Sequence, residues 1–155
     1  MGFTLRAALD AVGPDAQVTV CELVHEVIDW NLGPLAEQAN RPLDDSRVVV
    51  CKCSIVDVLS TGRQTFDAVI LDVDNGPGCI LYQPNQFLYS TDGLKCIKEA
   101  LGTDGILGVW SAERSASFEN ALEAAGLRWQ QENVGIPGYS EVHAHTVYIA
   151  QTVRQ

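Results

Sequence analysis

The sequence predicts an α/β protein: a three-layer, mostly parallel sheet that closes with a C-terminal antiparallel hairpin. Three observations point there. Helical stretches alternate with short apolar runs, the order that parallel strands joined by helical crossovers require. The run Ala68-Val69-Ile70-Leu71 is apolar without alternation, as expected of a strand covered on both faces. The last two strand-like stretches are separated only by a loop punctuated with Gly and Pro, which suits a hairpin better than a crossover.

Taken in order, Phe3 to Val12 sets Phe3, Leu5, Ala8, Leu9 and Val12 on one side at helical spacing. Gly13-Pro14 ends that helix, because glycine accommodates a cap and proline cannot continue the turn. Gln17 to Glu22 reads as a strand with an acidic tip, and Val24 to Trp30 and Pro34 to Ala39 as helical pieces interrupted at Asn31 and Gly33. Arg47 to Cys53 is an apolar strand, followed by a short helix from Ile55 to Leu59 with Ser54 as its N-cap. Beyond the central strand, Gln86 to Leu101 reads as helix, Gly105 to Trp110 as a strand ending in Ser111, and Phe118 to Ala125 as a helix stopped by Gly126. Arg128 to Val134 and Ala144 to Gln151 are the closing strands, joined through Gly135-Ile136-Pro137-Gly138-Tyr139. With 155 residues and no internal repeat or linker, a single domain over residues 1–155 is expected.

Ten Lys and Arg against twenty Asp and Glu give a net charge of −10, which argues against nucleic-acid backbones and anionic membranes as partners. It suits a small cationic substrate, and it equally suits a surface that is acidic only for solubility. No signal-peptide pattern and no apolar run long enough to cross a bilayer is present, so a cytoplasmic protein is expected. The five cysteines, Cys21, Cys51, Cys53, Cys79 and Cys96, are odd in number and mostly embedded in apolar runs. They read as small buried hydrophobes in a reducing compartment, without a disulfide framework. Cys51 and Cys53 share a strand face but lack a second pair at zinc-finger spacing, and His143 and His145 alternate as solvent-facing strand residues do. No metal site is expected.

The stretch Leu71-Asp72-Val73-Asp74-Asn75-Gly76-Pro77 carries the candidate chemistry. Two carboxylates stand where an apolar strand stops, at the carboxyl edge where open α/β sheets form their ligand crevice. The alternative is turn chemistry, with Asp74-Asn75-Gly76-Pro77 making the turn and Asp72 capping the next segment. Glu22 is a second acidic strand end.

The segments Val18-Thr19-Val20-Cys21-Glu22, Phe66 to Asp74, and Gly105 to Ser111 occur in an order that resembles the spermidine synthase family. More broadly the chain is similar to class I S-adenosylmethionine-dependent transferases, which have a Rossmann-like three-layer fold. The resemblance implies that Glu22 grips both ribose hydroxyls of a nucleoside, a task one carboxylate can perform on adjacent hydroxyls. It implies that Asp72 or Asp74 holds the substrate amine and takes its proton, since a cationic amine must lose its charge to become a nucleophile. Implied ligands are decarboxylated S-adenosylmethionine or S-adenosylmethionine, with methylthioadenosine as product, and a small amine such as putrescine.

The chain departs from the family at three places. Asp72-Val73-Asp74-Asn75-Gly76-Pro77 is shorter than the usual Asp-Ser-Ser-Asp-Pro, and Cys53-Ser54 stands where relatives carry Gly-Asp, leaving Ser54 to read the adenine. The family's first strand and Gly-rich loop would precede Met1-Gly2-Phe3-Thr4, leaving Gly2 as the one glycine that could belong to that loop. Without that strand, either the strand at Val18 pairs directly with the one at Ala68, or another chain supplies an edge. Direct pairing would bring Glu22 and Asp72 within about one strand spacing, roughly 4.8 Å, and weaken nucleoside binding by charge repulsion. A homodimer is the expected assembly. The alternatives to aminopropyl transfer are methyl transfer and a non-catalytic remnant that serves self-association. A nicotinamide dehydrogenase is disfavoured by the lack of a Gly-x-Gly-x-x-Gly between strand and helix.

Overall fold

The computed structural model describes residues 2–62, 65–135 and 144–152. The hairpin loop beyond Gly135 and His143 lie outside the described residues. The chain forms two compact units, Met1–Val58 and Leu59–Gln155.

In the first unit, α1 spans Phe3–Ala11 and seals Leu9 in the core. Strand β1, Val18–Cys21, lies parallel to β2, Val48–Cys51, with Val18 opposite Val48 and Cys21 opposite Cys51. Between them come α2, His25–Leu32, and two 3₁₀ turns, Ala36–Ala39 and Pro42–Asp44. The break expected at Asn31 does not occur: Asn31 is buried inside α2, and its side-chain amide donates to the Val27 carbonyl at 2.8 Å, so the helix runs on to Leu32. Arg47 ties α1 to the start of β2, donating to the Val12 and Gly13 carbonyls at 3.2 Å and to the Asp45 carboxylate at 2.8–3.0 Å. Those bonds hold the Asp45 carboxyl well below the usual carboxylate range. A shallow hollow of about 660 Å³ lined by Val12, Pro14, Asp45, Ser46 and Arg47 lies at this amino end of the strands, opposite to Glu22.

The helix α3, Ile55–Ser60, runs across the division between the units. The second unit is a four-stranded sheet in the order β3-β4-β6-β5. Its strands are β3, Phe66–Leu71, β4, Leu101–Ser111, β5, Leu127–Gly135, and β6, Ala144–Thr152. The β3/β4 pair is parallel, and β6 is antiparallel to both of its neighbours. The crossover from β3 to β4 consists of a 3₁₀ turn, Gln83–Tyr89, and α4, Thr91–Ala100, and α5, Ala116–Ala124, precedes the hairpin. Helical structure therefore begins earlier than Gln86 and ends before Leu101, where β4 already pairs with Phe66. Alternate residues Leu107, Val109 and Ser111 of β4 and Thr146, Tyr148 and Ala150 of β6 are buried, together with Leu94, Ile97, Phe118 and Leu122 from the helices. Phe118 packs edge-on against both Tyr89 and Tyr148, with ring centroids 5.8 and 5.1 Å apart.

Among the described residues, β1 and β3 belong to different sheets, so the direct pairing considered from the sequence is not realised. No described helix is long and apolar enough to cross a membrane.

Candidate functional site

At the carboxyl end of β3, Leu71 is fully buried and Asp72 is exposed. The next three residues are stitched down. The Val73 carbonyl accepts from the Tyr89 hydroxyl at 2.9 Å. Asp74 takes a left-handed backbone conformation, φ 53°, and both its carboxylate oxygens are engaged: Oδ1 accepts from the Tyr82 N–H at 3.3 Å and Oδ2 from the side-chain amide of buried Asn85 at 2.9 Å. Asp74 thus anchors the 3₁₀ turn that follows the loop. Burial, then the charges of Asp74 and Asp72, push the Tyr89 phenol well above its ordinary range, so it stays a neutral donor.

Asn75 and Gly76 complete the tip. The Asn75 carbonyl accepts from the Ala112 N–H at 3.0 Å, which bolts the β3 loop to the end of β4. Gly76 has φ 88°, and a Cβ there would run into Ser111, which is itself buried. Only glycine fits. Leu81, 72 % exposed, and Tyr82, 48 % exposed, form an apolar stretch whose Tyr82 N–H meets Asp74.

In the first unit, Glu22 follows β1, and its backbone N–H donates to the Cys51 carbonyl at 3.1 Å. Its Oε1 accepts from the Val24 N–H at 2.9 Å, a local bond at the entry to α2. Ser54 does what an N-cap does: its hydroxyl accepts from the Val56 N–H at 3.1 Å. Gly2 has φ 76°, and a Cβ on it would press on Pro42 at 2.9 Å and Asn31 at 3.2 Å. Packing therefore accounts for the glycine at position 2. The chemistry of these donors fits a nucleoside in part. A carboxylate with one oxygen in a single hydrogen bond keeps acceptor capacity for hydroxyls, and a serine hydroxyl that accepts one bond still has a proton to donate.

The sequence reading missed Asn85 and Tyr89, which hold the acidic loop from 11 and 16 residues away. For Tyr89 the available signal was its place beside the apolar pair Phe87-Leu88; Asn85, between Pro84 and Gln86, carried none. Among the described residues, no three His, Cys, Asp or Glu side chains gather so as to hold a metal ion.

No family model matches the chain, and no curated protein matches it in sequence. Solved structures do match in shape. Spermidine synthase from Thermotoga maritima superimposes with a TM-score of 0.71 at 18% identity, covering 97% of this chain and 50% of that one. A spermidine synthase in complex with the transition-state analogue AdoDATO gives 0.68 at 17% identity, covering 99% and 50%. Human methyltransferase-like protein 13 in complex with SAH gives 0.63 at 16% identity, covering 97% and 67%. The chain has the fold of class I S-adenosylmethionine-dependent transferases, and it spans half the length of the spermidine synthases it matches.

Proposed function

We propose that this chain is a spermidine synthase-like transferase domain that moves an aminopropyl group from decarboxylated S-adenosylmethionine to a small amine such as putrescine, leaving methylthioadenosine. The observation that carries this reading is the division of labour after β3. Asp74 spends both oxygens on Tyr82 and Asn85, while Asp72 stays exposed at the strand end beside them. Asp74 is then a positioning residue and Asp72 the base. A carboxylate there orients an ammonium group and accepts its proton, which frees the nitrogen lone pair. The exposed rim of Leu81 and Tyr82 suits the methylene chain of an aliphatic amine. Glu22 would hold the ribose hydroxyls, with Ser54 toward the base. When bound, the nucleoside supplies the carbon on its sulfonium sulfur that the amine attacks.

The fold is shared with methyltransferases, human methyltransferase-like protein 13 with SAH among them, which supports methyl transfer from S-adenosylmethionine as a second reading. The two are separated by incubating the full chain with putrescine and either donor and weighing the products. Aminopropyl addition is expected, with Asp72→Asn lowering it about a hundredfold. Methyl addition alone favours the second reading, and no product with either donor favours a non-catalytic domain. Self-association as a homodimer belongs to the same proposal, supported by exposed apolar side chains such as Trp30, Ile70 and Leu81. A monomer in sedimentation equilibrium at micromolar concentration would remove that part.

A further inference from the structure

One face of the four-stranded sheet is sealed: Leu107, Val109, Tyr148 and Ala150 are buried there with apolar residues of α4 and α5. The alternate residues of the strands point the other way and stay open. Ile70 is 51 % and Ile106 44 % exposed, and Val147 and Ile149 are half-buried. A Cβ added to Gly108, between Ile70 and Ile149 in the register, would meet within 4 Å only the Ile70 side chain among the described residues. Trp110 lies on the same face, its ring centroid 4.8 Å from that of His145. A contiguous apolar surface of this kind marks a site of association.

The charges at its margin say with what. In register across the strands, Gln130, Ile149, Gly108 and Ile70 form a central row. Two residues away on one side lie Arg128, Gln151, Ile106 and Ala68, and on the other Glu132, Val147 and Trp110. Arg128 and Glu132 thus stand symmetrically about the central row, on the edge strand β5, and both are exposed. A twofold axis along that row, between two sheets packed face to face about 10 Å apart, exchanges the flanking rows. Each Arg128 then meets the partner copy's Glu132, each Ile106 meets the partner copy's Trp110, and Ile149 meets its own image. Every unlike contact is made twice, as an isologous interface requires. The Arg128 guanidinium donates to Gln151 Oε1 at 2.8 Å and keeps donors for a carboxylate. Charges that complement their own image suit a second copy, and an unrelated partner has no need of them.

We propose that this face is where two copies of the chain associate, sheet against sheet about a twofold axis, with reciprocal Arg128–Glu132 ion pairs fixing the register. Strands β5 and β6 are nine residues long, so the four strands, roughly 4.8 Å apart, present a face on the order of 500 Å² in plan. Side-chain relief brings that toward the roughly 800 Å² of accessible surface that one partner contributes to a standard interface. The apolar rows supply the affinity, and the ion pairs supply orientation, because exposed pairs add little energy whereas like charges set opposite each other are costly. This interface gives the self-association proposed above its surface and rests on that reading, not on the transfer reaction.

The test is sedimentation equilibrium of the full chain at micromolar concentration, beside Arg128→Glu, Glu132→Arg and the variant carrying both. The parent chain is expected to dimerise. Each single reversal sets like charges opposite each other at both ends of the interface and should weaken association about a hundredfold. An equimolar mixture of the two single variants restores dimers, because every charge then meets its opposite, and the double variant dimerises like the parent. Both positions are exposed, and unchanged circular dichroism checks that the single variants fold. Single variants that dimerise as the parent does, or a mixture and a double variant that stay monomeric, would overturn this face while leaving self-association through another surface. A monomeric parent chain would overturn both. A dimeric parent chain that transfers nothing to putrescine counts against the transfer reaction alone.

Discussion

Among the described residues, one local bond, from the Val24 N–H, fixes the Glu22 carboxylate at the end of β1, whereas the loop after β3 is pinned by Tyr82, Asn85, Tyr89, Ala112 and the close approach of Gly76 to Ser111. Both are acidic ends of apolar strands, yet only the second is built as a rigid mount. The difference matches the tasks proposed for them. A carboxylate that accepts from two hydroxyls tolerates local adjustment, because its lone pairs accept over a broad range of directions. A base must meet its proton at hydrogen-bond distance, and misplacement is costly in rate. Asp74 supplies the rigidity of that loop, and Asp72 stands exposed at the strand end just before it.

The largest expected effect breaks the mount directly. Gly76→Ala should destabilise the fold by about 3 kcal/mol, from a disfavoured positive φ together with overpacking against Ser111. Gly13→Ala is its control: nothing lies within 4 Å of a Cβ there, and a change within about 1 kcal/mol is expected. Urea denaturation measures both, and equal losses would mean that the β3 loop is no tighter than an ordinary turn.

Next comes Glu22→Gln, which should weaken nucleoside binding by roughly 1.5–3 kcal/mol through loss of a charged acceptor, with little effect on stability. Asp74→Asn should do the reverse. It places a side-chain amide against the Asn85 amide and costs about 1–2 kcal/mol of stability, visible as a lower denaturation midpoint. If it instead abolishes transfer with stability intact, Asp74 rather than Asp72 is the base. Tyr89→Phe, which orphans the Val73 carbonyl, should cost about 1 kcal/mol.

The smallest effect lies away from both ends. The Arg114 guanidinium, hydrogen-bonded to Glu119 at 2.6 and 2.8 Å, holds that carboxyl below its usual range. A lowered folded-state value means that the contribution is present above the ordinary glutamate range, near pH 4.3, and is lost as pH falls through the folded value. With Arg114 largely exposed, the pair contributes no more than about 1 kcal/mol. Glu119→Gln should therefore destabilise slightly at pH 7, and the gap to the parent chain should narrow toward pH 3 in denaturation curves.

Much of this architecture was legible in the sequence because it depends on local pattern. The unbroken run Ala68 to Leu71 gave β3, Ser54 was read as a cap, and Gly126 as a helix stop. What was illegible depends on distant partners. Asn31 looks like a helix breaker until its amide is seen to bond within the helix. Leu101 looks like the end of a helix until Phe66 pairs with it. Asp72 and Asp74 are indistinguishable as letters, and it takes the fold of residues 82–89 back onto the loop to tie down the carboxylate of Asp74. Propensity cannot register a hydrogen bond made from 11 residues away.

The central claim, that the acidic end of β1 holds a nucleoside, is tested most directly by calorimetric titration of the full reduced chain and its Glu22→Ala variant with methylthioadenosine, S-adenosylmethionine and decarboxylated S-adenosylmethionine. Saturable heat is expected for the parent chain with at least one of the three, weakened at least about tenfold in the variant. Absence of heat with all three, or equal affinity in parent and variant, would contradict it.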